Sequence, residues 1–232
     1  MAVKVAALYD VHGNLPALEA VLREVPGDVD VIVFGGDLVW GPWPSECLVL
    51  AESLGERARF VRGNTESLVL DDSDEHGWAR ARLDDSQLCR VAGWPTTLVL
   101  DVDGLGRTLF CHATPRDENE ILVPESPSDE WAEALAAVGE RTVVCGHTHV
   151  QFDRRLGGHR VVNPGSVGAP TIHPAAWWAV LGPEVDLHTT PYDTEAAIHA
   201  ARSVVPDVDR FARWLRDTPS YEERLASLEV AP

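Results

Sequence analysis

The residues in this chain best suited to chemistry stand at the ends of short apolar runs. Val143–His149 reads V-V-C-G-H-T-H: a strand-forming run, a glycine that breaks it, and two histidines one residue apart. Neutral imidazole is the commonest protein metal ligand, and near pH 7 it is mostly uncharged. In extended backbone, side chains two apart point the same way, so His147 and His149 are expected to face one pocket. Gly146 is expected to let a charged ligand approach the backbone closely. Other runs end in the same way. Lys4–Tyr9 leads to Asp10-Val11-His12-Gly13-Asn14, Val29–Phe34 to Gly35-Gly36-Asp37, Ala58–Val61 to Arg62-Gly63-Asn64-Thr65-Glu66, and Arg107–Cys111 to His112.

Together Asp10, His12, Asp37, Asn64, His112, His147 and His149 supply four imidazoles, two carboxylates and one amide. Mixed nitrogen and oxygen donors of this kind suit Mn, Fe, Co, Ni or Zn better than Ca or Mg. Seven ligands exceed the needs of one tetrahedral ion but suit two ions sharing a bridging carboxylate. Two-metal sites of this sort recur in phosphatases and nucleases. A lone Asp at a strand end often just caps the next helix; seven ligand-type residues at successive strand ends are harder to explain that way.

Those residues must be positioned by a fold, and the alternation of elements suggests which. Asn14 is placed to cap a helix with Pro16 in its first turn and Leu15, Leu18, Val21, Leu22 and Val25 on one face. Gly41-Pro42-Trp43-Pro44 leads to Ser45, read as the cap of an amphipathic stretch Glu46–Leu54. Asp71–Glu75 and Asp84–Asp85 read as a solvated helical excursion. Thr96–Val102 and Arg107–Cys111 form a hairpin about Asp103-Gly104-Leu105-Gly106, and a helix near Ser128–Val138 precedes the H-T-H stretch. A second hairpin pairs Gln151–Leu156 with His159–Val162, and Ala176–Leu181 and Val185–Thr190 complete the strands. Asp193–Val204, Val208–Leu215 and Tyr221–Leu228 are closing helices over about 193–230. Strand–helix alternation followed by hairpins predicts an α/β protein: one domain, residues 1–232, with two sheets packed face to face and helices outside.

Composition bounds the function. The chain has 232 residues, 45% apolar and 24% charged, ordinary for a globular protein, but its formal charge is −18. That charge disfavours stable nucleic-acid or anionic-membrane binding, which rests on clustered Lys and Arg. It does not disfavour small anions, because bound metal ions reverse the local field. No run reaches the length of a membrane span, and the N-terminus lacks a signal peptide's basic start. Cys47, Cys89, Cys111 and Cys145 show no C-x-x-C spacing and read as reduced core thiols of a cytoplasmic protein.

The ordered set D-V-H-G-N, G-G-D, G-N, C-H and G-H-T-H resembles that of the calcineurin-like metallophosphoesterases, over roughly residues 3–181. G-G-D-L-V-W-G-P-W-P-S-E and V-N-P-G-S-V-G-A-P are similar to the small bacterial branch. The resemblance implies a four-layer α/β/β/α sandwich of two mixed sheets with the metals at the sheets' C-terminal edge. It implies that Asp10, His12 and His149 hold one ion, that Asn64, His112 and His147 hold the other, and that Asp37 bridges them. The implied cofactor is a pair of divalent transition ions, Mn foremost, with Fe, Ni, Co or Zn as alternatives. The implied chemistry is in-line attack on phosphorus by a metal-bridging hydroxide, with Asp37, Asn64 and His112 as the catalytic residues.

Two departures from the family matter. Many members carry a histidine directly after Gly-Asn, where this chain has Thr65. The Asp-Arg-Gly of the protein phosphatases is replaced by Leu38-Val39-Trp40-Gly41, which argues against a protein phosphatase. Asn14, Thr65, Arg116, Ser166 and His173 are candidate contacts for a small phosphorylated substrate: a phosphodiester, a phosphomonoester or a nucleotide polyphosphate. The competing reading is a non-catalytic metal-binding scaffold or regulatory protein of the same fold. The eight tryptophans, Trp177-Trp178 among them, fit either core packing or a homo-oligomer interface.

Overall fold

The computed structural model describes residues 1–71, 77–205 and 207–229. Its N-terminal part alternates β1 (Val5–Leu8), α1 (Leu15–Glu24), β2 (Val31–Phe34), α2 (Pro44–Glu52) and β3 (Ala58–Phe60). Three helices follow, α3 (Asn64–Leu70), α4 (Gly77–Arg80) and α5 (Asp85–Ala92), then the hairpin β4 (Thr97–Val102) and β5 (Gly106–Cys111). Next come α6 (Ser128–Ala134), β6 (Thr142–Val144), β7 (Phe152–Leu156), β8 (His159–Asn163), β9 (Ala176–Leu181) and β10 (Val185–Thr190). The chain closes with α7 (Thr194–Ala201), α8 (Val208–Arg216) and α9 (Tyr221–Glu229).

The strands form two five-stranded mixed sheets, ordered β10-β9-β1-β2-β3 and β4-β5-β6-β8-β7. β1, β2 and β3 run parallel, as do β5, β6 and β8, with antiparallel strands added at the flanks. Side-chain alternation along the buried strands builds the layers. Val5, Ala7 and Tyr9 of the first sheet meet Phe110, Val144 and Val162 of the second in one inter-sheet core. Their neighbours Ala6 and Leu8 face the other way, onto α1, α2, α7 and α8, in a second core. The outer face of the second sheet, including Leu109, Cys111 and Val143, packs on Trp131 of α6 and Leu228 of α9. The result is an α/β/β/α sandwich.

Local chemistry explains most of the boundaries. Asn14 caps α1 through Ala17 N–H, and Asp84 caps α5 through a reciprocal pair with Gln87. Ser45 does not cap α2: the helix starts at Pro44, with Trp43 in the cap position. Proline's fixed φ and missing N–H suit the first helical residue, so Ser45 falls inside the first turn, where its Oγ accepts from Gln87 Nε2 at 2.8 Å. The acidic stretch expected over Asp71–Glu75 lies, apart from Asp71, outside the described residues. Of the four cysteines, all free, Cys89 is exposed and not the core thiol expected, because it sits on the solvent side of α5.

Candidate metal centre

β1, β2, β5 and β6 end at one edge of the sandwich, and the loops after them carry the ligand-type residues. Those loops are unusual in backbone geometry. Asp10, His12, Asp37, His147 and His149 all have positive φ, between 48° and 65°. Non-glycine residues rarely adopt this region, and clusters of them mark functional sites. His147 and His149 therefore reach one pocket by a route other than the extended backbone expected from their spacing. Both sit in the left-handed region of a tight loop, tied by Thr148 N–H to Gly146 O at 2.7 Å.

Each carboxylate is fixed by backbone donors. Asp10 Oδ2 accepts from His147 N–H at 3.0 Å. Its Oδ1 is buried without a hydrogen-bond partner, although three imidazole Nε2 atoms stand near it: His149 at 3.4 Å, His12 at 3.9 Å and His112 at 3.9 Å. Asp37 Oδ1 accepts from Thr65 N–H at 2.9 Å and lies 3.4 Å from His112 Nε2. Its Oδ2 faces the other way, 3.8 Å from His12 Nε2. Close packing requires glycine beside these groups. A Cβ on Gly146 would stand 2.6 Å from Asp10 Oδ2, and one on Gly36, whose φ is +98°, would stand 2.5 Å from His112 Nδ1. The group that approaches Gly146 is thus the chain's own Asp10 and Tyr9, not a ligand.

The orientation of the histidines tests whether a metal fits. A carbonyl only accepts, so His112 Nδ1 donates to Gly35 O at 3.0 Å, and His149 Nδ1 donates to Ala169 O at 2.8 Å. In a neutral ring the opposite nitrogen, Nε2, then carries a lone pair. His112 Nε2 faces Asn64 Oδ1 at 3.0 Å, and His149 Nε2 faces His12 Nε2 at 3.1 Å. The His112 and Asn64 acceptors are turned on one another, and the His149 lone pair stands beside the unpartnered Asp10 oxygen; acceptors so placed call for cations between them. Within the donor set, Asp10, His12 and His149 form one cluster of ligand atoms, and Asp10, Asp37 and His112 another. The residues present fit a pair of metal ions. His147 stands against His112, ring centroids 5.2 Å apart, and lines the cavity beside Asn64.

The protein's own electrostatics leave Asp10 ionised and the His12 and His147 rings neutral, and favour protons on Asp37 and His112 that a bound cation would displace. Burial pushes the Asp10 carboxyl up, but His149, His112 and His12 outweigh it and hold it well below the usual carboxylate range. Burial raises Asp37 to about 7 against the pull of His112, with Glu66 and Asp10 adding to the rise. Burial lowers His12, and lowers His147 to about 4, so both rings are neutral at pH 7. His112 moves up: burial opposes this, but Asp37 and Asp10 prevail.

The centre opens into a cavity of about 590 Å³ lined by His12, Asp37, Asn64, Thr65, His147 and His149, and on its far side by residues of the C-terminal helices. Of the expected substrate contacts, Thr65 lines it. Asn14 and Ser166 are fully buried and committed to structure. Asn14 caps α1 and donates to Gly168 O and Tyr192 Oη, while Ser166 Oγ donates to Asp10 O and accepts from Ala169 N–H. Arg116 is turned away in an ion pair with Glu120, and His173 is exposed and does not line the cavity.

Two sets of residues here were missed in the sequence. Glu66, with 0% exposure, accepts four backbone N–H groups: Asp37 and Gly63 on Oε2, both at 2.8 Å, and Leu38 and Val39 on Oε1 at 2.7 and 3.1 Å. Its signal was G-x-x-E at the start of a helix, a capping-box spacing. Arg210, Arg213 and Trp214 of α8 and Arg224 of α9 reach the cavity mouth, where three guanidinium groups counter the chain's overall acidity. Arg224 Nε donates to Thr148 O at 3.0 Å, between the two loop histidines. The only sequence signal was the i, i+3, i+4 spacing of Arg210, Arg213 and Trp214.

Residues 3–183 match the model of the calcineurin-like phosphoesterase superfamily domain. A Methanocaldococcus jannaschii protein, MJ0912, is 27% identical over 195 residues, which cover 72% of this chain and 76% of that one. Among solved structures, a metallophosphoesterase from Sphaerobacter thermophilus superposes with a TM-score of 0.75 at 26% identity, over 92% of this chain and all (100%) of the other. Protein PH1004 from Pyrococcus horikoshii shares the fold at a TM-score of 0.73 and 19% identity, covering 90% and 97%.

Proposed function

Because the chain belongs to the calcineurin-like phosphoesterase superfamily, we propose that it hydrolyses small phosphate esters with two divalent transition ions. The observation that carries this reading is five donors, His12, Asp37, Asn64, His147 and His149, lining one cavity, with His112 and Asp10 behind them and Asp10 Oδ1 buried and unpartnered among three imidazoles. Asp10, His12 and His149 would hold one ion, and Asn64, His112 and His147 the other. Asp37 would serve both, because its two oxygens face different histidines, Oδ1 toward His112 and Oδ2 toward His12. Such ions, when bound, supply Lewis acidity toward phosphoryl oxygens and lower the pKa of water toward neutrality.

The chain's own residues do the rest. Gly35 O and Ala169 O fix the tautomers of His112 and His149, so that each presents a lone pair to the centre. Arg224, held on Thr148 O, and Arg210 and Arg213 at the mouth offer positive charge to the substrate's non-reacting oxygens. An acidic protein can therefore bind a phosphate anion. The absence of Asp-Arg-Gly after Asp37 favours small substrates over phosphoproteins. The four free thiols support a cytoplasmic setting. Among the described residues, no helix is long and apolar enough to cross a membrane.

The test pairs metal analysis of protein purified without chelator with a substrate panel: p-nitrophenyl phosphate, its bis ester and dinucleotide polyphosphates against Mn, Ni, Co, Zn and Mg. Two transition ions per chain and turnover of at least one ester are expected. Two bound ions with no turnover on any ester would favour the scaffold reading instead.

A further inference from the structure

A second pocket, of about 200 Å³, adjoins the metal cavity, and its wall is mostly apolar: Trp40, Trp78, Phe211 and Trp214, with Arg210 and Asp207. Trp40, Arg210 and Trp214 line both spaces. We propose that this pocket seats the base of a nucleoside phosphate whose phosphoryl group lies at the metal cavity. This rests on reading the cavity as a phosphoesterase centre.

Geometry ties the two spaces together. The rings of Trp40 and Trp214 lie 5.8 and 5.4 Å from the ring of His12, a proposed metal ligand, and 5.1 Å from one another. The same two indoles therefore touch the metal centre and wall the pocket, so a flat ring there is within a sugar's reach of the phosphoryl site. The Arg210 guanidinium lies 4.6 Å from the Trp40 ring centre and 5.7 Å from that of Trp214. Indoles and a stacked guanidinium are the surfaces on which bases stack, whatever the base. Asp207 is the one carboxylate among the described residues of the wall; its Oδ1 caps α8 through Arg210 N–H at 3.2 Å, and its Oδ2 is placed to accept from an amino or ring N–H group of a base. A plain aryl group has no such donors. Three separate elements supply the indoles: the loop after β2, α4 and α8.

The experiment is calorimetric titration of the full, metal-loaded chain with non-hydrolysable phosphonate analogues of AMP, ribose 5-phosphate and phenyl phosphate. The AMP analogue is expected to bind about tenfold or more tighter than the ribose analogue, the size of a base–aromatic stack, with the phenyl analogue between them. Trp78→Leu removes one wall, and Val205→Trp, at a further residue of the lining, fills the pocket from another. Each is expected to bring the AMP analogue down to the affinity of the ribose analogue. Equal affinities of the AMP and ribose analogues in the unmodified protein would overturn the proposal without any variant. So would an AMP preference that survives in both folded variants. A phenyl analogue that binds as tightly as the AMP analogue would overturn the assignment to a nucleobase. Ester hydrolysis is read separately. Turnover without an AMP preference removes the pocket and keeps the phosphoesterase. An AMP preference lost in the variants, with no ester hydrolysed, keeps the pocket and removes the phosphoesterase.

Discussion

Glu66 Oε2 accepts the backbone N–H of Asp37 at 2.8 Å, so the residue proposed to bridge two metals is held by a carboxylate from the first turn of α3. Asp37 sits at φ 56° in a turn where Glu66 gathers the Asp37, Leu38, Val39 and Gly63 N–H groups on its two oxygens. Glutamine has one acceptor oxygen and would turn an amide N–H on two of those donors. Glu66→Gln should therefore cost about 1–3 kcal/mol per donor left unpaired, and about 10–100-fold in metal affinity through the disturbed ligand loop. Denaturant midpoints with and without metal measure both. A variant as stable as the parent, with unchanged metal affinity, would show that Glu66 does not position Asp37.

Asp37→Asn should reduce activity more than replacement of any ligand assigned to one ion alone, because both of its oxygens face the centre. The metal-free protein gives a second readout. Asp37 has a native pKa of about 7, against about 3.9 in an unfolded chain. Between these values the native state holds the extra proton, so stability from this group is present at acid pH and is lost as pH rises through 7. Asparagine carries no such dependence. Chelator-treated Asp37→Asn should gain on the parent in denaturation experiments between pH 5 and pH 8, and added Mn should reverse the order. A gap that is flat with pH would mean that Asp37 is not the strained acid described here.

Four imidazoles in the set lead to an expectation about metal choice. Activity should appear with Mn or a neighbouring transition ion and be weak with Mg alone, since Mg prefers oxygen donors and keeps its waters. Full turnover by chelator-stripped protein supplied only with Mg would contradict this donor assignment.

Arg224 is half-buried, and burial pulls its pKa down from the usual guanidinium range. It remains a cation at neutral pH and lines the cavity between the metal loops and the solvent. Arg224→Met keeps the packing of the stem and removes the charge. A fall in kcat/KM of about 10–100-fold with unchanged metal content is expected if the group contacts substrate oxygens; unchanged kinetics would assign it to tethering α9 on Thr148 alone.

Much of this was legible in the sequence. Buried strands such as Val5–Leu8 alternate between two apolar layers, so both faces are apolar and the run reads as a strand at once; β9 and β10 fall where their patterns place them. Ligand types at strand ends gave the centre. Positive φ did not show, because Asp and His, though enriched among non-glycine residues there, mark left-handed backbone far less distinctly than glycine does. Glu66 was half hidden for a different reason: its capping-box spacing to Gly63 was legible, but its other three partners are backbone N–H groups on the loop after β2, which no side-chain pattern reveals. Arg210 and Arg224 lie on amphipathic helices whose charged face resembles any solvated surface, and only tertiary packing turns it over the cavity. Asn14 and Ser166 were misread in the opposite direction, since polar residues beside motifs can equally brace the loops that carry them.

Thr65 bears on how the leaving group departs. The residue lines the cavity, its Oγ1 is buried without a hydrogen-bond partner, and its N–H is spent on Asp37. Relatives with histidine at this place have a ring able to protonate the leaving oxygen, an assistance typically worth ~10²–10⁴ in rate. A hydroxyl is far too weak an acid to replace it near neutral pH. Of the alternatives, His173 is exposed and does not line the cavity, and His76 lies outside the described residues. His147, with a pKa of about 4, holds no proton to give at pH 7. The chain should therefore favour esters whose leaving group departs unassisted, nitrophenolate or a nucleotide phosphate over a simple alkoxide. Rates across aryl and alkyl phosphates of graded leaving-group pKa, with chemistry rate-limiting, should fall steeply as that pKa rises. Thr65→His should flatten the slope if the ring is accommodated. A flat series in the unmodified protein would reveal another acid, and loss of that flatness in His173→Ala would identify it.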